Sequence, residues 1–221
     1  MPSSTVEQYI KKIYQAMEGE DGELLTMKRV VEAMEVTPGT ATSMVKHLHE
    51  QQLLHYHPRQ GVALTSKGQA LALRMLRRHR LIETFLEQTL GYDWGEVHQD
   101  AETLEHAVSD LFVHRLDRHL GFPNVDPHGD PIPTAAGDYA EGSGVPLDRI
   151  TPGTTVQVTR LRDDDPDFLD LMKIHNMVPG QNVLVERVDG VAGTITVRSP
   201  ASDDNFVMSA LLGPRILVEP L

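Results

Sequence analysis

Apolar residues repeat every three or four positions through the first half of the chain and every second position in its last third. From Val6 to Met17 this spacing predicts an amphipathic helix over residues 3–17. After residue 147 the period of two predicts a barrel of about five short strands, with one helical insertion at residues 166–175. The expected fold is therefore mainly α in its N-terminal part, with a small all-β barrel at the C-terminus.

Two shorter helices with a tight break between them are predicted after the first helix. Thr26 is a suitable N-cap for one, residues 37–39 (Thr-Pro-Gly) break the pattern, and the other is predicted over residues 40–52. Apolar runs at residues 53–57 and 62–65 flank a Pro-Arg-Gln-Gly turn, which is typical of a β-hairpin. Together these elements predict a winged helix-turn-helix, although paired helices are also common in proteins that bind no nucleic acid.

Two longer helices come next. The first is predicted over residues 66–90 and the second over residues 94–120, and a glycine follows each. They have more apolar surface than one helical hairpin can bury, which indicates a dimer interface. Residues 123–146 are rich in proline and glycine and show almost no periodicity, so we interpret them as a linker.

Acidic and imidazole side chains recur at helical spacing in these two helices. His79 and Glu83 are one turn apart in the first. In the second, four such residues share a face at i, i+4, i+7 and i+8: His98, Glu102, Glu105 and His106. Carboxylates this close destabilise a bare helix, so a divalent cation is the favoured partner. The alternative is that both stripes are solvated faces of surface helices.

Other polar residues are candidates for the same kind of site. The first helix has Glu7, Gln8 and Lys11 on its other face, from which any of them could reach a neighbouring site or simply face solvent. The acidic run at residues 163–165 precedes the helical insertion, where it serves equally well as a helix cap or as a source of ligands. His128 is a lone loop histidine, and such a residue is seldom a ligand.

The second helix of the predicted winged unit has small hydrogen-bonding side chains and a cation that suit a DNA groove. Such helices meet base edges at their N-terminal end, and basic side chains nearby neutralise phosphates. Lys46 and Arg59 are expected at phosphates. The full set of residues expected to contact DNA is Lys28, Thr37, Pro38, Gly39, Thr40, Thr42, Ser43, Lys46 and Arg59.

The formal net charge of -12 argues against nucleic-acid binding until its distribution is considered. Residues 1–75 contain eight Lys or Arg and eight Asp or Glu. Residues 76–140 contain five against twelve, and residues 141–221 contain seven against twelve. A protein that binds a polyanion through residues 1–75 and metal cations through the rest of the chain would have this distribution.

The absence of cysteine excludes disulfides, thiolate metal sites and a cysteine nucleophile. The N-terminus lacks the apolar core of a signal peptide, and no apolar run approaches the length of a membrane span. We therefore expect a cytoplasmic protein without a membrane partner.

Several segments together resemble the diphtheria toxin repressor family of metal-dependent transcriptional regulators, which has iron-dependent and manganese-dependent members. They are EQYIKKIY, TPGTATSMVKHLHEQQLL, GVALTSKG, RRHRLIETFL, EVHQDAETLEHAVSD and PHGDPIP. The resemblance covers essentially the whole chain and implies a repressor homodimer that binds a palindromic operator when its metal sites are filled. It implies a winged helix-turn-helix over residues 1–73, a helical metal-binding and dimerisation domain over residues 74–140 with a linker to residue 146, and an SH3-like (FeoA-like) domain over residues 147–221.

The same resemblance implies two sets of metal ligands. The primary set is Gln8, Glu102, Glu105 and His106. The ancillary set is His79, Glu83, His98, Asp164 and Asp167. Iron-type members usually have a sulfur ligand where this chain has Glu102, and manganese-type members have acids where this chain has Gln8 and Lys11.

The expected function is a metal-activated repressor of metal-homeostasis genes, with no small organic substrate. Hard oxygen and nitrogen ligands favour Mn²⁺, with Fe²⁺ second. The enzymatic alternative is a metal-dependent hydrolase that uses the same His and Glu residues, which needs an open coordination position and a substrate cleft. A metal-storage protein is a third possibility, but it leaves the winged unit unexplained.

Overall fold

The chain divides into two compact units, and the boundary between them falls inside its longest helix. The computed structural model describes residues 2–18, 24–140, 142–162, 165–199 and 205–221. The first unit comprises Met1–His79, Glu105–Ala107 and Pro133–Tyr139, and the second comprises Arg80–Leu104, Val108–Ile132 and Ala140–Leu221. Within the described ranges no helix combines the length and the apolar character needed to cross a membrane.

The first unit contains the predicted winged helix-turn-helix. Its elements are α1 (Ser4–Met17), α2 (Met27–Met34), α3 (Pro38–Glu50), β1 (Leu54–His57), β2 (Gly61–Leu64) and the beginning of α4 (Ser66–Leu90). Their apolar faces share one core, in which Ile10, Val45 and Val62 are fully buried. β1 and β2 pair antiparallel with Leu54 opposite Leu64, so the hairpin wing is confirmed.

Three side-chain caps determine where the first helices begin. The hydroxyl oxygens of Ser3, Thr26 and Thr37 accept hydrogen bonds from backbone N–H groups in the first turns of α1, α2 and α3. Because Pro38 follows the Thr37 cap, it is the first residue of α3, where its missing N–H needs no partner. The prediction that this helix begins at residue 40 is therefore wrong by two residues.

The predicted single helix after Gly91 is wrong, because the structure has two helices there. They are α5 (Trp94–Leu104) and α6 (Asp110–His119). Ser109 caps α6 by accepting a hydrogen bond from a backbone N–H in its first turn, so a new helix begins at this point. Glu105 and His106 consequently lie in a turn and do not continue the helical face of α5.

The C-terminal part is a small antiparallel sheet, as predicted, with one helical insertion. Its elements are β3 (Val145–Pro146), β4 (Thr155–Leu161), α7 (Pro166–Ile174), β5 (Asn182–Asp189), β6 (Thr194–Arg198), β7 (Asn205–Ser209) and β8 (Ile216–Pro220). Six strands pair in the order β3-β8-β4-β5-β6-β7. Their buried side chains alternate, as at Val156 and Val158 or Val183 and Val185.

The predicted small barrel of about five strands has the confirmed SH3-like all-β class, and its sheet is open. The sheet has six strands, and among the described residues its end strands β3 and β7 do not pair with each other. β3 has only two residues, which is too short a ladder to close a sheet on itself.

The predicted linker over residues 123–146 contains packed structure in its first half. Asp126 and His128 are buried, and Asp126 Oδ1 accepts a hydrogen bond from the backbone N–H of His128 at 2.9 Å. At Gly129, where φ is +87°, a Cβ would lie 2.1 Å from the backbone oxygen of Thr159 in β4. This part is therefore a loop fitted against the sheet, which a composition rich in proline and glycine does not distinguish from a spacer.

Gly68 and Gly39 offer a matched test of the packing between the wing and α4. Both lie in the first turn of a helix, where Ala is usually more favourable than Gly by about 1 kcal/mol. A Cβ at Gly68 would lie 1.9 Å from the backbone oxygen of Leu53, whereas at Gly39 the nearest atom is 4.0 Å away. We expect Gly68→Ala to lower the free energy of unfolding by about 1–3 kcal/mol and Gly39→Ala not to lower it. Urea unfolding measures both, and equal effects would contradict this account.

Candidate metal centre and nucleic-acid interface

Four acidic and imidazole side chains come together in the second unit. Glu83 lies in α4, His98 in α5, and Asp126 and His128 in the packed loop after α6. Ligand atoms of Glu83, Asp126 and His128 lie within 4.8 Å of one another, and all three residues are buried. His98 Nδ1 lies 3.2 Å from Glu83 Oε1. These four residues are named the acid-imidazole cluster.

The carboxylates in and around this cluster repel one another. Burial, followed by the charges of Asp130 and Glu83, raises the pKa of Asp126 well above its ordinary value. Arg80 opposes the effect, with Nε 3.8 Å from Asp126 Oδ2 and Nη2 3.0 Å from Asp130 Oδ1. His128 Nε2 is buried and makes no hydrogen bond to any described residue. A further positive charge would therefore stabilise this part of the protein.

The side chains of the cluster fit a divalent cation of the Mn²⁺ or Fe²⁺ kind. Two carboxylates and two imidazoles provide the oxygen and nitrogen donors that these metals accept. Trp94 packs edge-on against His128 with ring centroids 5.3 Å apart, which holds the imidazole in a defined orientation. A bound cation would also give the buried Nε2 of His128 a partner.

A second set of charged side chains surrounds Glu105 in the first unit. Lys11 Nζ lies 2.7 Å from Glu105 Oε1, and His79 Nδ1 lies 2.7 Å from Glu105 Oε2. His106 Nε2 lies 3.4 Å from Glu105 Oε1, and its Nδ1 lies 2.9 Å from Glu7 Oε2. These five residues, from α1, α4 and the turn after α5, are named the Glu105 cluster.

Glu105 is held as a carboxylate inside the protein. Burial by itself raises the pKa of Glu105, but the hydrogen bond and charge of His79 and the charge of Lys11 outweigh it, so the pKa is lowered. Arg78 Nη1 also donates to the backbone oxygen of Glu105 at 3.3 Å. The turn is thus attached to its unit through both its side chain and its backbone.

On α1 the contacts to this cluster come from Glu7 and Lys11, whereas the predicted ligand was Gln8. Glu7 and Lys11 are buried, and Gln8 is half-buried. Sequence reasoning placed all three on one polar face with solvation as the default, because lysine and glutamate are rarely buried unless they are paired. The available signal was the four-residue spacing of Glu7 and Lys11, which puts both on one side of the helix.

The remaining predicted ligands lie in several places. Glu102 is in the second unit, with Oε1 3.6 Å from Nε2 of His98. His79 precedes Glu83 by one turn of α4 and belongs to the first unit. Asp167 is exposed in the first turn of α7, and Asp164 lies outside the described residues. The metal-binding roles of these residues stay predictions.

Asp126 and His128 are the members of the acid-imidazole cluster that sequence reasoning missed. They lie in the segment whose composition predicts a linker, where His128 is the only histidine. An acid two residues before an imidazole was the signal available, but this pattern is too common to indicate a site without the fold around it.

The N-terminal end of α3 presents most of the residues predicted to contact DNA. Exposed there are Thr37, Pro38, Gly39, Thr40 and Ser43, and Lys46 is exposed further along the helix. Thr42 is half-buried, and its hydroxyl donates to the backbone oxygen of Pro38 at 2.7 Å. A surface depression of about 620 Å³ is lined by Gly39, Thr40, Ser43, Met44 and His47. Small side chains at this helix end leave room for the edge of a base to approach.

Two further cations lie on neighbouring elements of the first unit. Lys28 is exposed on α2, with Nζ 3.7 Å from Glu32 Oε1, and an exposed pair of this kind contributes little to stability. Arg59 is exposed at the tip of the β1-β2 hairpin, where its φ of +69° forms the tight turn. Both side chains are accessible to a phosphate.

Family models match three consecutive parts of the chain. "Iron dependent repressor, N-terminal DNA binding domain" matches residues 1–62, and "Iron dependent repressor, metal binding and dimerisation domain" matches residues 65–134. "FeoA domain" matches residues 145–220. The resemblance noted from the sequence is confirmed in all three parts.

Individual relatives extend this similarity over nearly the whole chain. The iron-dependent repressor IdeR of Mycobacterium leprae is 31% identical over 212 residues, which is 90% of either chain. The HTH-type transcriptional regulator MntR of Oceanobacillus iheyensis is 33% identical over 130 residues, 59% of this chain and 78% of that protein.

Solved structures show the same similarity in three dimensions. A manganese-dependent transcriptional repressor in complex with manganese is 36% identical, with a TM-score of 0.89 over 98% of this chain and 100% of that one. ScaR with bound Zn²⁺ is 30% identical, with a TM-score of 0.82 over 100% of both chains. The fold is therefore shared from end to end.

The raised pKa of Asp126 predicts a pH-dependent effect of Asp126→Asn in the metal-free protein. In the folded state Asp126 keeps a proton that it loses near pH 3.9 in the unfolded chain. The free energy of unfolding therefore falls as the pH rises above that value. We expect Asp126→Asn to raise the thermal midpoint by about 2–4 °C at pH 7 and to have a smaller effect near pH 4.

Calorimetry at both pH values measures this difference. Asp170→Asn, at an exposed acid of the same unit, serves as the control and should have little effect at either pH. A lower midpoint for Asp126→Asn at pH 7 would instead mean that an ionised Asp126 stabilises the fold through Arg80.

Proposed function

Because the chain belongs to the family of iron-dependent repressors, we propose that metal bound to its acid-imidazole cluster activates operator binding. The observation that supports this most directly is the buried group of Glu83, Asp126 and His128 in a chain that also has a winged helix-turn-helix. The regulated genes are those of metal-ion homeostasis. Mn²⁺ is the first choice of metal and Fe²⁺ the second.

Donor chemistry and the relatives support this choice of metal. The cluster supplies oxygen and imidazole nitrogen, and the chain has no cysteine to favour a tetrahedral thiolate site. Relatives include an iron-dependent repressor and a manganese-dependent repressor solved with manganese. Intrinsic affinity favours the later divalent metals, so selection depends on the number and hardness of the ligands and on metal supply.

Glu83, His98 and the Asp126-His128 loop come from three separate elements, and a common ligand would hold those elements together. A bound Mn²⁺ or Fe²⁺ would supply the positive charge that the carboxylates lack. Glu83 also lies on the helix that begins at Ser66, directly after the wing, so one continuous helix includes both DNA-proximal and metal-proximal residues. Metal then strengthens operator binding to the extent that the DNA-binding form of the protein binds the metal more tightly than the other form does.

The chain is proposed to act as a homodimer on a palindromic operator. The family model that matches residues 65–134 is described as a dimerisation domain. Large apolar side chains on α5 and α6 remain exposed in the single chain, among them Leu104, Leu111 and Phe112. A twofold dimer presents two α3 helices, which match two half-sites of opposite orientation.

The burial of the cluster also bears on the hydrolase alternative. A hydrolytic metal needs an open coordination position and a cleft for substrate. Glu83, Asp126 and His128 are all buried, which favours a metal that holds elements together over one that activates water. The two functions differ in the laboratory, since a repressor shifts operator DNA only with metal and a hydrolase turns over substrate without DNA.

Glu83→Gln tests the role of the cluster in activation. The amide keeps the shape of the side chain but removes the negative charge, so we expect Mn²⁺ affinity to fall about 100-fold and the metal-dependent shift of operator DNA to fall with it. Glu87→Gln, one turn further along α4 and half-buried, is the matched control. Mn²⁺ and Fe²⁺ titrations in the presence of a DNA fragment selected by footprinting measure both variants. If Glu83→Gln changed neither the metal affinity nor the shift of operator DNA, Glu83 would not be a metal ligand.

Lys46→Ala tests the DNA contacts assigned to α3. Loss of a phosphate contact should weaken binding to operator and unrelated DNA alike and reduce the slope of log K against log salt by about 1. Lys173→Ala removes the same charge from α7, where Lys173 pairs with Asp93 at 2.8 Å, and should leave the slope unchanged. A changed operator preference with an unchanged slope would show that Lys46 reads a base instead.

A further inference from the structure

Lys11 is a buried cation in contact with side chains of the kinds that bind metals. Lys11 is 1% exposed and Glu105 is 0% exposed. A lysine is almost never buried so completely unless it is paired, because its charge loses the solvation of water. The pair formed by Lys11 and Glu105 therefore belongs to the interior of the first unit and is not a surface contact.

The ammonium group lies between a carboxylate and an imidazole. Lys11 Nζ is 2.7 Å from Glu105 Oε1 and 3.5 Å from His79 Nδ1. His106 approaches the same carboxylate oxygen to 3.4 Å, and Glu7 contacts the other nitrogen of that imidazole. Two acids and two imidazoles thus surround one covalently attached positive charge. Carboxylates and imidazoles are the side-chain types that bind divalent metals, and a third carboxylate in place of the ammonium would complete a set of ligands here.

The Glu105 cluster in this arrangement does not fit a divalent cation. A metal at Glu105 would lie beside the ammonium, and like charges in a buried site repel strongly because little water screens them. Among the described residues, the groups of three mutually close acids and imidazoles include Glu83, Asp126 and His128 but none that contains Glu105. Metal-type donors occur in both clusters, and in the Glu105 cluster the ammonium of Lys11 lies 2.7 Å from one of them, Glu105 Oε1.

We propose that Lys11 is a resident cation that takes the place of a metal ion at Glu105. Its ammonium joins α1 to the turn at Glu105–Ala107 whether or not metal is present, because a covalently attached charge cannot dissociate. The metal response then belongs to the acid-imidazole cluster alone, and in this respect the inference rests on the proposed function. Lys11→Glu should convert the Glu105 cluster into three carboxylates and two imidazoles, and so into a metal site.

The experiment counts bound metal in the full-length protein. Glu83→Gln is the background, because it weakens binding at the acid-imidazole cluster. Equilibrium dialysis against Mn²⁺ followed by elemental analysis should then find almost no bound metal while Lys11 is intact. Adding Lys11→Glu should add about one Mn²⁺ per chain, and adding Glu105→Gln to that variant should remove it again.

Lys12→Glu is the matched control for the change of charge. Lys12 is the next residue of α1 and is half-buried. Lys12→Glu changes the net charge of the same helix by the same amount as Lys11→Glu, so non-specific attraction of Mn²⁺ would appear equally in both variants. No additional Mn²⁺ is expected for Lys12→Glu.

Thermal unfolding gives a second readout that does not depend on DNA binding. In the same Glu83→Gln background, Lys11→Met leaves Glu105 without the ammonium and should lower the midpoint of the metal-free protein, with no recovery on addition of Mn²⁺. Lys11→Glu should also be less stable without metal, but Mn²⁺ should restore its midpoint. This comparison still applies if Lys11→Glu folds only when metal is added.

Two results would overturn the inference. One is a Mn²⁺ ion bound in the Glu83→Gln background with Lys11 intact and lost on Glu105→Gln, since Lys11 would then not exclude metal. The other is a folded Lys11→Glu variant that gains no Mn²⁺. Failure of the proposed function looks different, because the unmutated protein would then bind no activating Mn²⁺ while Lys11→Glu still gained one ion.

Discussion

A buried carboxylate needs positive charge close by, and this requirement decides which elements of the chain are attached to each other. In the first unit Lys11 supplies that charge to Glu105 and thereby joins α1 to the turn after α5. In the second unit Arg80 of α4 lies 3.8 Å from the buried Asp126 of the acid-imidazole cluster and, like Arg160 of β4, pairs with Asp130 in the same loop. Removing either kind of partner would leave a charge in a medium of low polarity, which is strongly destabilising. The polar interactions that define the two clusters are therefore also interactions on which the fold depends.

Helix α4 contributes residues to both clusters. It has 25 residues, about 37 Å at 1.5 Å per residue, and runs from the end of the wing past His79 and Glu83. His79 hydrogen-bonds Glu105, and Glu83 one turn later belongs to the acid-imidazole cluster. The helix has no proline, and its only glycine is in its first turn. His79 and Glu83 thus occupy neighbouring turns of the same helix but belong to different clusters.

The sequence was sufficient for features that local chemistry determines and insufficient for those that depend on burial. The bounds of α4 were predicted correctly, because Thr65 can cap its first turn and Gly91 follows its end. The break between α5 and α6 was not predicted, because apolar periodicity runs through the position where the Ser109 cap begins a new helix. The burial of Lys11 could not be predicted either, because the carboxylate that makes it favourable lies 94 positions away in the sequence. Donor type and helix spacing thus indicate metal chemistry, but which acids already have a partner is a property of the folded chain.

The Lys11–Glu105 pair also has a genetic consequence. Codons for lysine and glutamate differ only at their first base, so a single transition at codon 11 exchanges a positive side chain for a negative one. If Lys11 acts as the resident cation, that mutation changes how many ions a dimer must collect before it is fully loaded, and with it the steepness of the response to rising metal. Selection can therefore adjust the sensitivity of such a regulator through one nucleotide, without altering the residues that face DNA.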